Sequence, residues 1–131
     1  AKATTLDELL QASHIVSLHI VASPSTKGIL NKEKLSLMRK DALLINTSRS
    51  TLVDTPALVE ALDKAQIGGA AIDVFDQEPL SLDHPLRQTP NTLLTPHLGF
   101  VAEAVFESFT QGAVECLEAW LNEKPIVRPL P

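Results

Sequence analysis

The chain has 131 residues, a formal charge of −5, 44% apolar residues and only 4% aromatics. That suits one domain, or a large piece of one, with an aliphatic core. Interspersed charges without a basic stripe argue against a nucleic-acid partner, and no apolar run approaches the roughly 20 residues of a membrane span.

Thr5 followed by Glu8 has the capping-box spacing and predicts a short helix from Leu6 to Ala12. HIVSLHI (14–20) is apolar and β-branched, which reads as a buried strand. ASPSTKG (22–28) is turn chemistry, and Asn31 is placed to cap a helix through Met38. ALLIN (42–46) reads as a second buried strand. Asp54 or Thr55 caps the next helix, with Pro56 in its first turn and Leu58, Val59 and Leu62 inward. Gly68-Gly69 leads into AAIDVF (70–75), a third strand, then a 16-residue Pro-bearing loop (76–91), then TLLT (92–95), a fourth. Val101 to Leu121 carries Val105, Phe109, Val114, Leu117, Trp120 and Leu121 at three- and four-residue steps, a long amphipathic helix that the tail EKPIVRPLP cannot continue. Strands apolar on both faces, alternating with helices, predict a parallel α/β sheet. The single cysteine, Cys116, falls in the last helix, where a buried structural thiol is expected. One cysteine excludes an internal disulfide, so a reducing cytoplasmic setting is the default. The chain opens on a helix signal without a Met, as a piece of a longer protein would.

In an open parallel sheet, ligands bind beyond the carboxyl ends of the strands. Thr47, Ser48 and Arg49 follow the second strand there, Asp73 lies within the third near its end, Glu78 lies on the loop beyond it, and His97 follows the fourth. Each has an ordinary structural reading taken alone. Arg49 could tie two loops together, Asp73 could satisfy backbone amides, Glu78 could be a solvated charge and His97 a structural histidine. His14, His19 and His84 are read as structural or surface residues. Their arrival at equivalent strand ends gives the other four a joint meaning. An arginine at the mouth of a buried strand is expected to be partly dehydrated and to need an anion or carbonyl. A histidine beside a carboxylate is an acid–base pair, and an arginine's planar fork matches a carboxylate. Together they describe a site for a 2-oxo acid, with Arg49 on the carboxylate and His97, held by Glu78, protonating the 2-oxo oxygen. The accompanying hydride must come from a nicotinamide, because side chains cannot supply it.

LLINTSRSTLVDTPALVEAL, IGGAAIDVFDQEPLSLDHPL and NTLLTPHLGF, in that order, resemble the NAD-dependent D-isomer-specific 2-hydroxyacid dehydrogenases, which include phosphoglycerate, glycerate and D-lactate dehydrogenases. The resemblance extends over essentially the whole chain. It implies that Arg49 is the substrate-binding arginine, Glu78 its acidic partner and His97 the acid–base histidine. It further implies that Asp73 contacts the nicotinamide carboxamide and that the backbone at Thr47 and Ser48 lines the nicotinamide pocket, with Arg49 and His97 bordering it. The family implies a homodimer acting on a small 2-hydroxy or 2-oxo acid in a cleft between two α/β domains. Residues 1–99 then form the second half of a Rossmann-like NAD-binding domain, and 100–131 a long helix and tail returning toward a substrate domain. Val21 where proline is frequent, Ser50 where glycine is frequent, and Leu98-Gly99-Phe100 after the histidine depart from the usual pattern. These changes bear on substrate shape rather than on reaction type. No G-x-G-x-x-G occurs, and the acidic residue that grips an adenosine ribose is missing with it. In the family both lie upstream, which leaves NAD as the expected cofactor with NADP open, and the isolated chain expected to be inactive. Some relatives act instead as NADH-sensing corepressors that bind protein partners, a second function of the same fold.

Overall fold

The computed structural model describes residues 4–126, which fall into two units divided after Gly99. The first unit is built on four short parallel strands, β1 (Ile15–Leu18), β2 (Leu43–Asn46), β3 (Gly69–Ile72) and β4 (Thr92–Leu94), in the spatial order β1-β2-β3-β4. Leu18, Asn46, Ile72 and Leu94 stand side by side on the last rung, so the segments that follow all four strands leave from one edge.

Helices α1 (Leu6–Ala12), α2 (Lys32–Ser36) and α3 (Thr55–Asp63) begin where side chains satisfy free backbone amides. Thr5 and Glu8 form the reciprocal capping box, Asn31 accepts from the Lys34 amide at 3.0 Å, and Asp54 accepts from the Ala57 amide at 3.0 Å. Asp54, not Thr55, is thus the cap of α3. Pro56 sits in the first turn, where no carbonyl awaits its missing N–H. Leu10, Leu35, Leu58 and Leu62 on these helices pack with Val16, Leu18, Leu44, Ala70 and Ile72 on one face of the sheet. Each large aliphatic side chain so buried contributes about 1.5–3 kcal/mol.

Every predicted element is present; α1 has the predicted bounds, and most of the others end sooner. β3 stops at Ile72, so Asp73 is the first residue beyond the strand rather than a member of it. Val59 is half-buried, and Ala57, Leu58, Ala61 and Leu62 form the inward stripe of α3.

The expectation that both sheet faces are buried is not met. Ile15, Leu43 and Leu93 point to the face opposite the core and are 58%, 45% and 65% exposed. Apolar side chains at alternate positions make a strand suited to a two-sided sandwich, but burial of the second face needs a covering layer, which the described residues of the first unit do not supply.

The second unit is α4 (Glu103–Leu121), which buries Gly112 and Ala119. Phe109, Val114, Leu117, Trp120 and Leu121 on it are exposed, and Cys116 is half-buried rather than buried. Phe100 and Phe109 stack at 6.0 Å between ring centroids. The helix ends before Lys124-Pro125, as the sequence requires, and Val127–Pro131 of the tail lie outside the described residues. No helix among the described residues is long and apolar enough to cross a membrane.

Candidate active site

Three loops at the carboxyl edge of the sheet hold the predicted residues. The turn after β2 is shaped by Asn46, the last residue of the strand, which is 1% exposed. Its amide nitrogen donates to the Arg49 carbonyl at 2.9 Å, and its oxygen accepts from the Ser48 amide at 3.1 Å. A buried amide is costly unless satisfied, and here the satisfaction folds Thr47–Arg49 into a compact turn. Asn46 was missed as a site residue, though an Asn ending an otherwise apolar strand is a legible signal. The Ser48 hydroxyl donates to the Ile20 carbonyl at 2.9 Å and ties this turn to the end of β1.

Arg49 is exposed, contrary to the expected dehydration. Its guanidinium donates to the neighbouring Ser48 carbonyl at 2.6 Å, and among the described residues it enters no ion pair. The turn projects the long side chain past the end of the sheet, so it retains its water and most of its donors.

Asp73 is 3% exposed and takes three hydrogen bonds. Oδ1 accepts from the Thr95 hydroxyl at 2.5 Å and from the Leu98 amide at 2.7 Å, and Oδ2 accepts from the Gly99 amide at 2.7 Å. Burial pushes this carboxyl up, but the Thr95 hydroxyl and the two amides outweigh it and hold the group below its usual value. A carboxylate offers about four lone-pair sites, so one remains on Oδ2. The residue therefore acts first as the anchor of the turn after β4. Thr95, its partner, was also missed; only the threonine's position next to Pro96-His97 hinted at it.

That turn carries His97 with φ of 56°, in the left-handed region that non-glycine residues rarely adopt. Strain of this kind persists where surrounding bonds over-determine it, and the Asp73 bonds to Leu98 and Gly99 do so here. The ring is aimed at Glu78, with His97 Nδ1 and Glu78 Oε2 2.8 Å apart. Glu78 Oε1 accepts from the Phe75 amide at 2.9 Å. The Phe75 amide first, and His97 second, hold the Glu78 carboxyl below its usual value.

Glu78 and His97 line a cavity of about 560 Å³ walled by Phe75, Leu80, Leu94 and Pro96. Arg49 does not line it but stands on the adjacent turn. A Cβ added at Gly99 would lie 3.7 Å from the Thr47 carbonyl oxygen and 2.9 Å from Asp73 Oδ2. The β2 and β4 turns therefore meet at Gly99, where the close approach of Asp73 leaves no space for a side chain. Of the remaining histidines, His84 caps a short turn by accepting from the Leu86 amide, His14 faces Asp41, and His19 bonds Ser17.

A parallel α/β sheet thus carries an imidazole–carboxylate pair, an exposed guanidinium and a buried aspartate at its carboxyl edge, where open sheets of this kind bind ligands. Residues 1–99 match the model of the D-isomer specific 2-hydroxyacid dehydrogenase NAD binding domain, and the chain belongs to this family. It is 49% identical over 105 residues to a glyoxylate reductase of Thermofilum pendens, covering 80% of this chain and 30% of that protein. It is 48% identical over 98 residues to the D-3-phosphoglycerate dehydrogenase of Escherichia coli K12, covering 72% and 24%. Among solved structures, the TT0316 protein of Thermus thermophilus superposes with a TM-score of 0.89 at 43% identity, covering 98% of this chain and 41% of that one. The chain thus spans about a quarter to two fifths of the length of these relatives.

Proposed function

We propose that the protein carrying this chain is a dehydrogenase that interconverts a 2-oxo acid and a D-2-hydroxy acid with NAD(H). The observation that carries this reading is the 2.8 Å His97–Glu78 pair at the carboxyl edge of a sheet in this family. Glu78 engages Nδ1 and so fixes the ring, which leaves Nε2 as the atom that gives a proton to the substrate oxygen or takes it back. Arg49 binds the substrate carboxylate through its free fork and polarises the neighbouring carbonyl.

The residues fit a nicotinamide. Thr47 is exposed on the turn after β2, and Asp73 keeps one lone-pair site for a carboxamide N–H. Thr47, Ser48 and Asp73 would hold it, with Arg49 and His97 at its border. A bound nicotinamide supplies or accepts the hydride. The turn held by Asp73 keeps the imidazole oriented toward Glu78. We assign residues 1–99 to the second half of the cofactor domain, 100–131 to a helix and tail that reach toward a substrate domain, and a homodimer to the whole. The 131 residues alone are expected to be inactive, because they contain no G-x-G-x-x-G to anchor a dinucleotide.

The test is NADH and NADPH oxidation by the full-length protein with glyoxylate, hydroxypyruvate and pyruvate. Turnover with at least one acid, abolished in Arg49→Ala, supports the reading. Tight NADH binding without turnover of any 2-oxo acid contradicts it.

A further inference from the structure

Glu78 poses a physical problem. It lies on the long loop 76–91, whose tip at Leu82 is 89% exposed, yet its carboxylate is held at hydrogen-bond distance from both Phe75 and His97. Loop residues with so little packing lose that geometry readily unless the backbone is tied down.

The second half of the loop is tied to the core. Leu86 and Thr89 are buried, and Thr92 in β4 donates to the carbonyls of both. Arg87 rises from this fixed part and reaches back across the loop. Its Nε donates to the Ser81 carbonyl at 2.8 Å and its Nη2 to the Leu80 carbonyl at 2.9 Å. Two donors on one edge of a planar guanidinium thus grip two successive carbonyls, a match that a flexible ammonium does not reproduce. Only Pro79, with its restricted φ, separates Leu80 from Glu78. Arg87 also lines the same cavity as Glu78 and His97.

We propose that Arg87 is a positioning residue for the acid–base pair, clamping the Leu80–Ser81 backbone so that Glu78 stays on His97. Arg87 touches neither of them by hydrogen bond; it acts through the loop. The kinetic half of the test rests on the dehydrogenase reading above, and the exchange half does not.

Arg87→Met, Arg87→Lys, Glu78→Gln and the Arg87→Met/Glu78→Gln double variant are made in the full-length protein. Arg87→Met is expected to lower kcat about tenfold with KM changed less than about twofold, and to move the pH dependence of kcat/KM in the direction that Glu78→Gln moves it. The double variant is expected to be no worse than Glu78→Gln alone, and Arg87→Lys to recover part of the loss. Hydrogen–deuterium exchange is expected to speed up across residues 75–81 in Arg87→Met while the core around Leu44 and Ile72 stays protected. The proposal is overturned if Arg87→Met costs the same factor with and without Glu78, or if exchange across 75–81 is unchanged. If no 2-oxo acid is turned over by the unmodified protein, the dehydrogenase reading fails, and the exchange result alone decides the role of Arg87.

Discussion

His97 Nδ1 and Glu78 Oε2 stand 2.8 Å apart although 19 residues separate them in the chain. The Phe75 amide and His97 hold the Glu78 carboxyl below its usual value. The sign follows from the direction: the contact is complete above the ordinary glutamate range and is lost as pH falls through the lowered value. Glu78→Gln keeps the shape and removes the charge, and turnover is expected to drop by about a hundredfold with little change in melting temperature. Steady-state kinetics beside a thermal melt check this.

Asp73→Asn is expected to destabilise the first unit. The amide group has one acceptor oxygen where three donors now converge, so it presents an N–H to a backbone N–H. Leaving a buried donor unmatched costs about 1–3 kcal/mol. Because the native Asp73 carboxyl lies below its ordinary value of 3.8, its contribution is full above about pH 4 and disappears as pH falls through the lowered value. Urea denaturation of the two proteins should therefore show a gap at neutral pH that narrows under acid conditions.

Gly99→Ala places a methyl group 2.9 Å from Asp73 Oδ2. The carboxylate is pinned by three hydrogen bonds and cannot swing aside freely. Overpacking of this kind costs about 1–3 kcal/mol, and the displaced turn carries His97. Loss of stability together with loss of turnover is expected, measured by urea denaturation and by NADH oxidation.

Arg49→Lys separates chemistry from stability. Arg49 is exposed and unpaired among the described residues, so stability should stay within about 0.5 kcal/mol. Charge-assisted hydrogen bonds contribute about 1.5–3 kcal/mol each, and the lysine cannot form the planar pair. A fall in kcat/KM of about a hundredfold is expected, with the melting temperature unchanged.

The uncovered face of the sheet makes a physical prediction for the 131-residue chain by itself. Ile15, Leu43 and Leu93 present apolar side chains to water on one face of the sheet, and exposed apolar surface drives association. Sedimentation velocity is expected to show concentration-dependent self-association. A monodisperse monomer with a cooperative unfolding transition contradicts it.

The helix starts and the strands themselves were legible because their causes are local. The Thr5–Glu8 pair, the Asn31 and Asp54 caps and the apolar run before Asn46 act within a few residues of themselves. What escaped the sequence depends on partners far along the chain. The amides that saturate Asp73 lie 25 and 26 residues away, and nothing near Asp73 marks them. The exposure of Ile15, Leu43 and Leu93 escaped too, since composition tells which faces are apolar and not which are covered. Arg49 was placed on the right turn, but its exposure follows from a bend shaped by Asn46, whose side-chain bonds were not anticipated.

The most direct measurement is NADH oxidation by the full-length protein and its His97→Asn variant. Asparagine accepts the positive φ at this position, so the turn is retained while the proton donor is removed. Turnover is expected to fall by a factor of about 10²–10⁴ with NADH binding preserved. A His97→Asn protein that reduces the same 2-oxo acid at the unmodified rate would contradict the assignment of the imidazole as the acid–base group.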